Sequence, residues 1–494
     1  MNDTTMTMRI PHVSMAELKA RGELPSTTEG LAVELAMRAG DLVTSSGASV
    51  QDTIVLMRKI CHAYGLDRVQ IDVTYHVILT SYYPGEGMPP LTVARTVTPT
   101  VSNLSKVMEV NDLVVKIEQG MSIARAMKEF DRLRKADPPY PGWVAALASG
   151  GISMSVQLFY TLDIKILILA LLTGILVNRF ISLLRSWGLP IFFQQLFGGW
   201  LVIAIAASFT WLNEHPNLEF FGYVSPTTIA VGCIFQLVVG ARFVAGVQDA
   251  IDGHYVTATA RILEVVIMNV GLVVGLLTAL EFARRFGIAV YLRTSVLTPG
   301  GPIEQLVAAT LTAVLWGIAA YSNARTLIVM ACVTLLARAT YLLVMVFDTS
   351  LVAFDTSIVV ASFAGPMVAA FVTVIVVRRR WSAPTFGVLN AMGIPFVPGM
   401  LLYLGLLQTV GTHSVEPDPS SGFATVGMAI AIALAISAGA SLGAFLGRPS
   451  QERHLLTQKT WTQMMTKEIT QPAGGTLSHV TGEETPEEVS KDRG

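Results

Sequence analysis

The chain has 494 residues, 52% of them hydrophobic and only 14% charged, against roughly 25% charged in an ordinary soluble domain, and its mean hydropathy is +0.56. These values mark a membrane protein, and a formal net charge of -1 with no basic stripe argues against nucleic acid as a partner. Residues 1–142 hold 31 of the charged side chains and residues 448–494 hold 13, which leaves 25 for the 305 positions between. The chain therefore divides into a soluble N-terminal domain, a long membrane domain and a short polar tail.

Residues 1–27 read as a flexible N-terminus whose lack of an apolar stretch of seven or more leaves no secretory signal, so the next domain is expected in the cytoplasm. Residues 28–142 read as a small α/β domain. Apolar periodicity predicts a helix from Leu31 to Val43, and Ser49 with Asp52 makes a capping-box-like start for a second helix reaching about Tyr64. β-branched, alternating runs predict strands at Val69 to Thr74, His76 to Tyr82 and Leu91 to Val97, with Pro84-Gly85-Glu86-Gly87 as a turn. Helices from Ser102 to Glu118 and from Ser122 to Lys135 close the domain.

Chemistry of the enzymatic kind has little support. There is no phosphate-binding glycine loop and no GxSxG elbow. Cys61-His62, Asp72 and His76 do not make a hydrolytic set, because adjacent Cys and His point to different faces of a helix. Cys61, Cys233 and Cys332 are too few and too scattered for a disulfide framework or a metal site and are expected to be packed thiols. No catalytic residue, metal or cofactor is assigned.

A spanning helix needs about 20 largely apolar residues, because only an internally hydrogen-bonded helix crosses about 30 Å of hydrocarbon. Five segments meet this test in residues 143–281: Trp143 to Tyr160, Ile164 to Phe180, Pro190 to Leu212, Pro226 to Val247 and Ala258 to Leu280. After a connecting loop at 282–301, five more do so in residues 302–447: Pro302 to Tyr321, Thr326 to Phe347, Ser357 to Val377, Thr385 to Thr409 and Phe423 to Leu446. The expected fold is a polytopic α-helical membrane protein of about ten spans in two five-helix halves. Five is odd, so related halves would be inverted repeats; LVVGARF at Leu237 to Phe243 echoes PFVPGMLLY at Pro395 to Tyr403.

Lys and Arg in short loops favour the cytoplasmic side. With the N-terminus inside, Arg179, Arg185, Arg325 and the Arg378-Arg379-Arg380 cluster fall inside, while the loops around Glu214, Asp348 and Glu416 lie outside. One loop disagrees, since Arg284, Arg285 and Arg293 would lie outside. Either that link holds an interfacial helix whose long side chains snorkel, or the span count is off by one. The tail at 448–494, with Glu483-Glu484 and Glu487-Glu488 among Pro and Gly, reads as disordered and cytoplasmic.

Two kinds of residue point to function. Gly240 in the fourth span and Pro398-Gly399 in the ninth interrupt helices, and freed backbone groups in lipid must face a cavity or a ligand; Gly240 alternatively just permits close packing. An ionisable side chain inside a span costs about 2.5–3.5 kcal/mol, so it is expected to face an interior. Arg338 lies near the middle of the seventh span, Glu264 about two turns into the fifth, and Asp249 and Asp252 at the mouth of the fourth. Arg261 and Glu264, three apart, can pair. A partly buried carboxylate at such a mouth can bind a proton or an ammonium group; a solvated loop is the plainer alternative.

The layout resembles the threonine/serine exporter (ThrE) family of bacterial inner-membrane proteins over about residues 28 to 447. AGDLVTSSGASVQDT from Ala39 to Thr53, VVGARFVAGVQDAIDGHYVTATAR and IPFVPG carry the resemblance, with Gly240, Asp249, Gly253 and Arg261 matching the pattern of a glycine turn, an Asp, a Gly and an Arg. Val239 stands where many relatives have a proline, which weakens the first helix break; Pro398-Gly399 keeps it. The resemblance implies export of threonine and serine through the bacterial plasma membrane, driven by the proton motive force, or export of another small carboxylate. In that picture Gly240, Pro398, Gly399 and Arg338 meet the substrate, and Asp249, Asp252, Arg261 and Glu264 serve proton coupling or gating. The expected partners are threonine, serine, protons and the bilayer, with a homo-oligomer left open. The rival reading is a membrane-anchored enzyme or sensor that uses the N-terminal domain.

Overall fold

In the computed structural model, residues 28–46, 48–84, 89–97, 103–213, 226–237, 240–288, 290, 300–348, 357–380, 401, 404–405, 408–409 and 419–447 are described. The N-terminal part opens with α1 (Thr28–Ser45) and α2 (Val50–Ala63). Ser49 caps α2 by accepting the Asp52 amide at 3.1 Å, the contact expected of its spacing. Strands β1 (Val69–Thr74), β2 (Val77–Tyr82) and β3 (Leu91–Thr96) form an antiparallel sheet in the order β1-β2-β3. Thr74 pairs with Val77, so Tyr75 and His76 form a two-residue hairpin turn, and β2 starts one residue later than its sequence pattern suggests. The turn expected at 84–87 lies largely outside the described residues. Helices α3 (Leu104–Glu118) and α4 (Ile123–Lys135) complete this part, with Phe130, Leu35, Met37, Met57 and Ile71 in its core.

Ten further helices follow among the described residues: α5 (Gly142–Gln157), α6 (Ile164–Ser186), α7 (Ile191–Asn213), α8 (Pro226–Leu237), α9 (Gly240–Ile251), α10 (Tyr255–Arg285), α11 (Pro302–Ala319), α12 (Ala324–Asp348), α13 (Ser357–Arg380) and α14 (Pro419–Gly447). Seven of them are long and apolar enough to cross a membrane: α6, α7 and α10 to α14. Three of the ten expected spans therefore stand apart. α5 has 16 residues, and the fourth span is divided into the 12-residue helices α8 and α9. The ninth, with Pro398 and Gly399, lies outside the described residues apart from single positions, as do the N-terminal 27 residues and the tail from 448.

Glycine sets the tightest helix contacts. α7 packs on α10, and a Cβ at Gly271 would sit 2.7 Å from Phe192 O, while one at Gly275 would collide with Leu196 O. α13 packs on α14 in the same manner, with Gly439 and Gly443 against Phe363 O and Met367 O. Each pair of glycines is four residues apart, as is each pair of facing carbonyls. With no hydrophobic drive between helices in lipid, such close backbone approach is what holds them. α5 packs on α11, and α9 on α14.

Arg284 and Arg285 lie in the last turn of α10 and not in a loop, and both pair with Glu281, at 2.9 and 3.6 Å, so one carboxylate offsets one of the two charges. Arg293 lies outside the described residues. Cys61 and Cys233 are buried as expected, but Cys332 is exposed on α12. A span is apolar on its lipid face as well as its packed face, so hydrophobic context did not place that thiol.

Candidate functional site

α9 and α10 meet at an elbow. Asp252, Gly253 and His254 turn the chain, with Gly253 at φ 89°, a conformation that suits a residue without Cβ. Asp249, in the last turn of α9, is 1% exposed and holds Arg261 of α10, Nη1 to Oδ2 at 2.6 Å. The Val50 amide of α2 also donates to the Asp249 carboxylate, which thus sits at the N-terminus of α2, where orphan amides and the helix dipole favour an anion. Arg261 Nη2 reaches the Ala48 carbonyl at 3.4 Å, and His254 Nε2 lies 3.1 Å from Gln51 Oε1. The two segments AGDLVTSSGASVQDT and QDAIDGHYVTATAR, far apart in sequence, are therefore one site in space.

Arg261 does not pair with Glu264 as their spacing suggests. Its partner is Asp249, while Glu264 takes Arg242 of α9 at 2.9 Å and the phenol of Tyr75 from the β1–β2 turn. Residues three apart on a helix can pair, but α9 presents a partner to each. Glu264 lies in the first third of α10, and from Val265 to Arg285, 21 of the 31 residues of the helix remain, about 31 Å, a length that suffices for a span. The first turns of α10 contact the N-terminal α/β part. Asp252 is exposed at the elbow.

Burial dominates the electrostatics. It pushes the Asp249 carboxyl up to about 6, with Asp52 adding to the effect and Arg261 and the Val50 amide opposing it. Burial and the Glu264 carboxylate hold the Tyr75 phenol at about 12, so it is a hydrogen-bond donor at any physiological pH. His254 is lowered by burial and is held up in part by Asp72.

Arg338 belongs to a second place. The α11–α12 turn touches the soluble domain, and Arg338 is 14 residues beyond Ala324, about 21 Å along the helix. Arg338 is 8% exposed; its Nη2 donates to Gln305 Oε1 at 2.6 Å, and its guanidinium carbon lies over the Tyr341 ring at 4.5 Å and the Phe159 ring at 5.4 Å. The amide oxygen and the two ring faces all favour a cation at this place. Arg338 is thus near the middle of its helix, whereas the elbow charges lie at helix ends. Gly240 begins α9, while Pro398 and Gly399 lie outside the described residues.

Between these places lies a neutral polar layer that a search for ionisable residues overlooks. Ser153 donates to Gly232 O at 2.9 Å, Ser155 and Thr312 are 2.8 Å apart, and the Gln157 amide donates to Thr228 O. Arg242 sits inside the VVGARF segment and could have been weighed, whereas nothing in sequence marks Tyr75. An apolar groove of about 770 Å³ between α7 and α10, lined by Trp200, Trp211, Phe282 and Phe286, has Ser208 but no charged group on its wall and does not suit a zwitterion.

The family model described as "Putative threonine/serine exporter" matches residues 34–283, which include the N-terminal α/β part from within α1 onward, the elbow and all of α5 to α9. The chain is 28% identical over 425 residues to a Mycobacterium tuberculosis protein named "Probable threonine/serine exporter", covering 84% of this chain and 76% of that one. It is 27% identical over 420 residues to the "Threonine/serine exporter" of Corynebacterium glutamicum, covering 84% and 82%. No solved structure matches.

Proposed function

The chain belongs to the threonine/serine exporter family, and from that premise we propose that it exports L-threonine and L-serine across the bacterial plasma membrane in exchange for protons. The single observation that carries the mechanism is the buried Asp249–Arg261 pair at the elbow, held between α9, α10 and the N-terminus of α2. A carboxylate near pH 6 with a fixed cation beside it takes and releases a proton over the range a bacterial membrane maintains. Glu264, Arg242 and Asp252 extend the same charged mouth. Arg338, with Gln305, offers the substrate carboxylate a cation farther along the helices.

The packing supports two related halves. The third and fifth spans of each half, α7 with α10 and α13 with α14, meet through glycines of identical spacing, and in the sequence Gly240 and Pro398-Gly399 fall in the fourth span of each. Moving one charge through 100 mV supplies about 2.3 kcal/mol, enough for roughly a 50-fold gradient. In this reading the N-terminus and the tail are cytoplasmic.

Efflux from dipeptide-loaded cells tests the proposal. Threonine and serine efflux above that of a deletion strain is expected, and a protonophore is expected to collapse it. Efflux indifferent to the protonophore removes antiport; no difference from the deletion strain removes the substrate assignment.

A further inference from the structure

The soluble domain grips the membrane helices at two places built differently. At the α11–α12 turn the grip is main-chain: Leu104 N–H donates to Ala320 O at 2.9 Å and Ser105 N–H to Tyr321 O at 3.2 Å, so the orphan amides of one helix start satisfy the orphan carbonyls of another helix end. Leu104 and Ala320 are buried, Tyr140 stacks on Tyr321 at 5.4 Å, and Tyr140 donates to Ile318 O at 2.6 Å. Parting these surfaces strands buried backbone groups, which is costly.

At the elbow the contacts are mostly side-chain tips. Tyr75 holds Glu264, Gln51 meets His254, and the bonds from Arg261 to Ala48 O and from Thr257 to Val73 O are long, 3.4 and 3.5 Å. Water replaces such partners at small net cost. Asp249 does reach a main-chain amide, but it keeps Arg261 when that amide leaves. Tyr75 is delivered by a two-residue turn whose strand register fixes its reach, and it closes on a carboxylate already paired with Arg242.

We propose that the soluble domain is a lid hinged on the α11–α12 turn and latched to the α9–α10 elbow by Tyr75, a positioning residue that holds Glu264 while the mouth is closed and releases it to admit substrate. This rests on the export reading, and the two fail separately in the experiment below.

Cysteines at Gln51→Cys and His254→Cys, with exposed Cys332 replaced by serine and buried Cys61 and Cys233 kept, are bridged in cells with a reducible bis-methanethiosulfonate. The bridge is expected to cut threonine efflux about tenfold or more, with recovery on reduction, and each single variant is expected to be insensitive to the reagent. A formed bridge that leaves efflux intact overturns the lid. In everted vesicles, Tyr75→Phe is expected to speed maleimide labelling of Gln51→Cys about tenfold, the effect of losing one hydrogen bond to a charged group; an unchanged rate overturns the latch. Labelling needs no transport, so absent threonine efflux in the unmodified protein would sink the export reading while leaving the latch to be read by itself.

Discussion

A carboxylate that is 1% exposed usually keeps its proton, yet Asp249 has an arginine 2.6 Å away. Burial prevails over the pair, and its carboxyl stands near 6 against an ordinary 3.8. The fold therefore binds a proton there more tightly than the unfolded chain does, between about pH 4 and 6. The stability this contributes is complete at the acid end and is lost as pH rises through about 6. Thermal unfolding of the purified protein is expected to show that fall, and Asp249→Asn is expected to flatten it; an unaltered profile would remove Asp249 as the titrating group. At Arg338 the geometry separates charge from shape. Arg338→Lys retains the cation but loses the planar stack on Tyr341 and the directed bond to Gln305, so efflux is expected to fall about tenfold, as losing ~1.4 kcal/mol would produce, with membrane levels unchanged. Wild-type efflux in that variant would mean that only the charge matters.

Elements are held by contacts a single methyl group disturbs. Gly275 and Gly443 face carbonyls on α7 and α13 so closely that any side chain must push the helices apart. Gly275→Leu and Gly443→Leu are each expected to reduce folded protein in the membrane severely, whereas Gly427→Ala on α14, with open space around it, is expected to be neutral. Equal tolerance at all three would show that the close approach does not hold these pairs. At this scale much was legible. Ser49 and Asp52 announced the start of α2 because a cap is a local interaction, and Val69–Thr74 read as a strand because its alternation matches one buried face. The elbow was legible through Gly253, since a left-handed residue between two apolar runs leaves few other choices. At Gly240, where α9 begins, the sequence left both a helix break and close packing open. The partners of Arg261 and Glu264 were not legible, because they come from α9 and from a β-turn nearly two hundred residues earlier.

On the scale of the whole molecule, the N-terminal α/β part completes the elbow. The N-terminus of α2 and the Tyr75 turn supply groups that Asp249, Arg261 and Glu264 would otherwise leave to water. Residues 143–494 produced alone are therefore expected to insert but not to export, and normal efflux from them would confine the domain to regulation. Sequence by itself determined the membrane class, the positions of most helices and the short roster of charges worth inspecting, because hydrocarbon thickness and the cost of a buried charge act on each segment separately. Only the tertiary structure decided that Glu264 meets Arg242 and Tyr75, that Arg338 packs on Gln305, Tyr341 and Phe159, and that two distant motifs share one carboxylate. Those outcomes depend on which helix ends meet, and no local pattern of residues encodes a meeting.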